Sequence, residues 1–307
     1  MSTELRQRLF QALNEVTIVD PHTHIDPHAP ASRNLAEILG YHYFTELCHA
    51  SGMARERIEQ PGLDPQEKVE RIFQHLGPLN NTVQYSWFIE IARELLDFDV
   101  EVLLPEHAEP LWNRAAERMA SPDWEDQVLR RSGLSRVFLT NDFDDPLAGF
   151  DTHRYIPCLR TDDLVFHLAE PRTRERLADC SGIDVGGLSS LRQALERRFL
   201  HFVSHGAKAC AISLPPHFAP HPISEARAEK ALDRLSRHSS ETDAADREAV
   251  SHTVFWMLAE LCREHHLPFD LMIGVNRGVY ERGVHQGRDL FDSRMSLIQY
   301  RELFNAF

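Results

Sequence analysis

Five short apolar runs, each closing on polar or ionisable residues and separated by helical periodicity, constrain this chain most. Val16–Val19 runs into His22-Thr23-His24, and Ser135–Asn141 closes on Asn141-Asp142. Tyr155–Leu159 leads to Arg160-Thr161-Asp162, Ala207–Leu214 carries Ser213, and Phe269–Val275 leads to Asn276-Arg277. The β-branched run Val16–Val19, feeding into polar residues, is what the end of a buried parallel strand looks like, and the other four runs are strand-like. Helical spacing fills the gaps at Thr173–Ala178, Leu188–Phe202 and Glu248–His265. Strand and helix in alternation predict a parallel sheet covered by helices. In such folds chemistry collects at the carboxyl edge of the strands, so five polar strand ends together carry more information than any one. Pro157, inside the third run, is unusual for a central strand.

Between the first and second runs the chain reads as helix for about a hundred residues, punctuated by Pro61, Pro65, Pro78, Pro105 and Pro122. This predicts a helical insertion over residues 31–132. A leading helix, with Leu5, Leu9, Leu13 and Val16 at helical spacing, precedes the first strand, and Ser2 or Thr3 is its cap.

Charge narrows the function. Against 47 acidic side chains stand 33 basic ones, a formal charge of −14. A chain so acidic is a poor partner for nucleic acid, whose affinity comes from neutralising phosphates. No apolar run reaches the ~18 residues of a membrane helix. The five cysteines are odd in number and form no CxxC pair, which fits reduced thiols and a cytoplasmic location. There is no Walker loop, no GxGxxG and no GxSxG elbow.

His22 and His24 sit two apart after a strand. Side chains alternate along a strand, so both imidazoles face one way and suit one divalent ion. Asp20 and Asp26 flank them as orienting groups. Two ordinary surface histidines are the plain alternative. In TNDFDDP, Asp142, Asp144 and Asp145 are either sugar- or proton-handling carboxylates, or turn and cap residues, and the turn has the edge. Arg160 is either a grip on a substrate carboxylate or half of an ion pair with Asp162. His42 offers acid–base chemistry and Tyr43 oxyanion stabilisation. Aromatic packing of one helix on another accounts for Tyr41-His42-Tyr43 equally, and spacing alone favours it.

Taken in order, VDPHTHI, LGYHYFTELCHASGM, VFLTNDFDDP, CLRTDD, ISLPP and FDLMIGVNRGV resemble the uronate isomerases of the amidohydrolase superfamily, in a divergent branch. The resemblance covers nearly the whole chain. It implies an α/β fold, a TIM (β/α)8 barrel of the metal-dependent hydrolase type. The first five βα units would lie in residues 1–307 as a single domain, with the helical insertion after the first strand. It implies aldose–ketose isomerisation of a hexuronate, glucuronate to fructuronate or galacturonate to tagaturonate, by proton transfer between C2 and C1 through an enediol. His22 and His24 would be metal ligands and His42 and Tyr43 the catalytic residues. Arg160, Asp162, Arg277 and Asp142 would bind substrate. The implied cofactor is one weakly held divalent ion, zinc, and the implied partner is a small sugar acid, with a homo-oligomer expected.

Three departures stand out. Met272 occupies a fifth-strand place where many members have His, and Met is a poor ligand for a borderline ion. Glu46 stands where the usual pattern has Arg. The last residue, Phe307, falls in what reads as the fifth helix, so the family's last-strand Asp ligand is expected beyond it and the chain reads as a fragment. A hydrolase of the same superfamily and a sugar-acid-binding fragment without turnover are the alternatives.

Overall fold

The structure, a computed structural model, describes residues 2–237, 243–276, 279 and 290–307. Its chain divides into two compact units. One comprises Met1–Val19, His28–Ser135 and Gly278–Asp289, and the other Asp20–Pro27, Arg136–Arg277 and Leu290–Phe307.

The first unit is helical. Helices at Leu35–Leu39, His42–Ala50, Pro65–Phe73, Val83–Glu94, Ala108–Met119 and Trp124–Arg131 fill the region expected to be an insertion. Their apolar stripes meet in one core around Leu39, Ile72, Phe73, Phe88 and Leu111. Phe88 is edge-on to both Phe44 and Phe73. Polar ties finish the job: the Tyr85 hydroxyl accepts from Leu103 N at 2.7 Å, and Trp124 Nε1 donates to the Ser32 carbonyl at 3.1 Å. The Thr3–Asn14 helix begins at Ser2, whose Oγ accepts from Leu5 N at 3.2 Å, as its sequence predicts.

The parallel strands belong to the second unit, except that Ile18–Val19 and Leu134–Ser135, the starts of the first two, fall in the first. In chain order the strands are β1 (Ile18–Asp20), β2 (Leu134–Phe138), β3 (Asn141–Asp142), β4 (Tyr155–Ile156), β5 (Cys158–Arg160), β6 (Ala209–Leu214) and β7 (Phe269–Ile273). Hydrogen-bonded neighbours run β1-β2-β4 and β3-β5-β6-β7. The registered pairings β2–β4, β3–β5, β5–β6 and β6–β7 are all parallel. β2 with β3, and β4 with β5, are two halves of single runs, so the sequential order expected from the alternation holds.

The run at Tyr155–Leu159 differs from a single strand. Pro157 has no N–H to give the ladder, and the strand breaks there. Asn141 repairs the ladder beyond the break, its Oδ1 accepting from Cys158 N at 3.3 Å. The Glu225–Arg237 helix is an addition to the elements expected from the sequence, and Ala228, Ala231, Leu232 and Leu235 mark its buried stripe at helical spacing. The Ser296–Phe304 segment is a 3-10 turn, Leu297–Tyr300, followed by a short α-helix, Arg301–Ala306.

The two faces of the sheet differ in kind. Leu159, Cys210, Ile212 and Leu214 pack outward against the Leu188–Ser204 and Ala244–Glu264 helices, with Phe199, Phe202, Phe255 and Leu258 in the same core. Cys158, Ala209 and Ala211 form a small second cluster with Phe138 against it. Small side chains there leave room at the strand ends. Beyond β7, Gly274 adopts φ +95°, and a Cβ on it would sit 2.8 Å from the Phe291 ring. Only glycine serves at that turn. Among the described residues no helix is long and apolar enough to cross a membrane.

Candidate functional site

At the carboxyl ends of the strands lies a cavity of about 360 Å³. His22 and His24 enter it from the segment after β1, Thr140 from between β2 and β3, Arg160 from the end of β5, Asp162 from the start of the Asp162–Phe166 helix, Ser213 from β6, and Asp270 and Met272 from β7. The turn after β1 is shaped by its own side chains. Asp20 Oδ1 accepts from His22 N at 3.1 Å, and Thr23 Oγ1 accepts from Ile25 N at 3.3 Å. The two imidazoles that result stand edge to face with ring centroids 5.0 Å apart.

Pairing register sets the rest. Arg160 is opposite Ala211, and Ala211 opposite Asp270. The alanine methyl therefore lies between a cation and a carboxylate on flanking strands. One row further along, Ser213 is opposite Met272, and its Oγ lies 3.7 Å from Met272 Sδ. Asp162 is held twice: Oδ1 accepts from Ser213 N at 3.3 Å and Oδ2 from Arg160 Nε at 3.3 Å. Burial pushes the Asp270 carboxyl up from its ordinary range, and the nearby His22 opposes that shift.

The structure thus brings His22, His24, Arg160 and Asp162 to one cavity. Asp142 is elsewhere. It lies 3.6 Å from Arg176, whose guanidinium grips Asp144 through two bonds of 2.6 and 2.7 Å and Asp163 through one of 2.7 Å. Arg176 holds the Asp144 carboxyl below the usual carboxylate range and stacks 4.6 Å over the Phe143 ring. Asp145 accepts from Asn141 Nδ2 and Leu147 N. TNDFDDP is built as an ion cluster and a turn. His42 and Tyr43 belong to the helical unit, in the first turn of His42–Ala50. Their rings are 4.3 Å apart, and Tyr43 meets Trp87 at 6.4 Å. Arg277 lies outside the described residues.

Thr140, Ser213 and Asp270 line the cavity although sequence reasoning gave them no role. The signal for Asp270 was present: it precedes Met272 by two, so a strand puts both on one face.

Two imidazoles sharing one tetrahedral ion stand about 5 Å apart between ring centroids, from metal–nitrogen distances of about 2.1 Å. The observed 5.0 Å fits that arrangement. The pair is half a tetrahedral shell, and among the described residues no group of three His, Cys, Asp or Glu side chains is arranged to hold an ion.

Comparison with known proteins gives this cavity its context. The glucuronate isomerase family matches over residues 1–305. The uronate isomerase of Histophilus somni is 25% identical over 306 residues, covering 90% of this chain and 63% of that protein. That of Corynebacterium glutamicum is 24% identical over 300 residues, covering 89% and 57%. The chain therefore spans about three-fifths of the length of these curated relatives. Among solved structures, a uronate isomerase from Thermotoga maritima superposes with a TM-score of 0.87 at 19% identity, covering 100% of this chain and 72% of that one. A glucuronate isomerase from Caulobacter crescentus gives 0.85 at 18%, covering 98% and 68%. These superpositions identify the α/β fold. With the family matched along almost its entire length, the chain belongs to the glucuronate isomerase family.

Proposed function

We propose that this chain performs uronate isomerase chemistry in the cavity at the strand ends. The observation that carries the reading is the convergence there of His22, His24, Arg160 and Asp162, from different strands of a chain in this family. Its five strand runs are read as the first five strands of a TIM (β/α)8 barrel, within a single domain in which residues 31–132 are an insertion.

In this reading Arg160 grips the carboxylate of a hexuronate through its planar fork, and Asp162 fixes the guanidinium from behind. His22 and His24 would hold a divalent ion, taken as zinc, which when bound would supply Lewis-acid polarisation of the sugar's carbonyl. The reaction removes the proton from C2, forms a C1–C2 enediol, and returns a proton to C1. Asp162 is already engaged by Arg160 and Ser213, whereas Asp270, pushed up by burial, is a cavity carboxyl suited to exchanging a proton with substrate. The roles of His42 in acid–base transfer and Tyr43 in oxyanion stabilisation rest on the family resemblance, as do substrate contacts from Asp142 and Arg277. A small sugar acid as partner, a homo-oligomer and a cytoplasmic location complete the proposal.

The test is incubation of the purified chain with zinc and D-glucuronate or D-galacturonate in D₂O, followed by NMR. Ketose formation with solvent deuterium at C1 is the expected result. Neither turnover nor deuterium incorporation with either sugar would overturn the isomerase reading. Saturable binding without exchange would favour a sugar-acid-binding role.

A further inference from the structure

We propose that Thr140 is a positioning residue for His24: its hydroxyl decides which imidazole nitrogen carries the hydrogen, and so which one is presented to an ion. The inference rests on the assignment of His22 and His24 as an ion-holding pair.

Thr140 stands in the gap between β2 and β3, at the rim of the cavity. Its Oγ1 lies 2.9 Å from the Thr23 carbonyl oxygen and 3.0 Å from His24 Nδ1. A hydroxyl has one hydrogen to give, and a carbonyl can only accept. The Thr140 hydrogen is therefore spent on Thr23. Toward His24 the hydroxyl is left as an acceptor, so Nδ1 must donate. A neutral imidazole carries one N–H, which puts the lone pair on Nε2, one of the two ring nitrogens through which a neutral histidine ligates. The opposite tautomer would set two lone pairs against each other, or pull the hydroxyl off the Thr23 carbonyl.

The same oxygen does a second thing. Thr23 lies between the two histidines, so the bond to its carbonyl ties the backbone of the His-Thr-His turn to the end of the neighbouring strand run. One side chain thereby sets both the tautomer of His24 and the placement of the turn that carries the pair. Thr140→Val keeps the shape and loses both bonds. Thr140→Ser keeps the hydroxyl and loses a methyl.

The experiment uses the full chain labelled with ¹⁵N at histidine, at about pH 8, above the ordinary imidazole range. Long-range ¹H–¹⁵N spectra report each tautomer, with His24 assigned from a His24→Gln sample, and calorimetric titration with zinc alone reports affinity. Wild type and Thr140→Ser are expected to show His24 hydrogen on Nδ1. Thr140→Val is expected to lose that preference and to bind zinc about ten- to a hundredfold more weakly, the usual cost of removing an orienting partner, with Thr140→Ser restoring affinity. Hydrogen on Nε2 of His24 in the wild-type chain overturns the proposal without any variant. So does a Thr140→Val chain with unchanged tautomer and affinity. Zinc bound equally well by a His22→Ala/His24→Ala chain would remove the ion assignment instead, and the tautomer spectra would then judge Thr140 alone.

Discussion

Replacing Arg160 by Met removes the cation from the cavity while keeping most of the side-chain bulk. The guanidinium meets Asp162 through Nε at 3.3 Å, and Nη1 and Nη2 are the terminal donors of its fork. A hydrogen bond to a charged group contributes about 1.5–3 kcal/mol net, and about 1.4 kcal/mol is a tenfold change in affinity. Loss of one such interaction raises the Kd for a hexuronate about 10- to 150-fold. The upper end is favoured because Asp162, with only 17% of its side chain exposed, would then face the substrate carboxylate as an unneutralised anion. Stability should barely move. Arg160 is 38% exposed, and pairs of that kind contribute about 0–1 kcal/mol, so Tm shifts by a few degrees at most. The assay is calorimetric titration with D-glucuronate, with D-glucose as the uncharged control and Arg160→Lys as a charge without a fork. The reasoning fails if Arg160→Met binds glucuronate as tightly as wild type. It also fails if affinity for glucose falls in parallel, since that would reflect a distorted cavity and not a lost carboxylate contact.

Two further predictions concern histidines. Met272 faces the cavity opposite Ser213, so Met272→His adds a third imidazole and should tighten zinc binding at least tenfold over wild type in a competition assay with a chelator; unchanged affinity would separate β7 from the ion site. His252 is buried, stacked on Phe218 at 4.7 Å and beside His221 at 4.1 Å, and burial, with His221 second, pushes its imidazole down to about 4. Glu248, 3.8 Å away, works in the opposite sense. The folded state resists protonation while the unfolded chain takes a proton near 6.5, so this contribution is complete above that pH and is lost as pH falls from about 6.5 to about 4. Urea unfolding midpoints across that window should slope for wild type and flatten for His252→Gln; equal slopes would assign the acid sensitivity to other groups.

Periodicity and strand-end chemistry were enough to determine the type of fold and the edge where its site would lie. Burial on both faces holds for the runs at Tyr155–Leu159 and Ala207–Leu214, whereas Val16, Ile18 and Val19 of the first run are exposed, against the expectation of a buried strand; a parallel sheet still puts its loops at one carboxyl edge. The placement of His22, His24, Arg160 and Asp162 at the cavity was legible for that reason: His22 and His24 come just after β1, Arg160 ends β5 and Asp162 opens the helix that follows it. Motif and family resemblance together brought the family into view from residues alone.

Tertiary structure decided the rest, because pairing register and long-range partners are not local properties. Pro157 hinted at trouble, but only the fold shows that Asn141 bridges the break by bonding Cys158 N. Asp142 and Asp162 are equally plausible carboxylates in sequence. Arg176, thirty-two residues from Asp144, draws Asp142 into an ion cluster, while Ser213 and Arg160 hold Asp162 at the cavity. Thr140 and Thr23, 117 residues apart, could be joined only by the parallel crossing of their strand runs. A one-residue difference in register would turn the Asp270 and Met272 side chains to the other face of the sheet, so the polar composition of the site was settled when β6 and β7 paired.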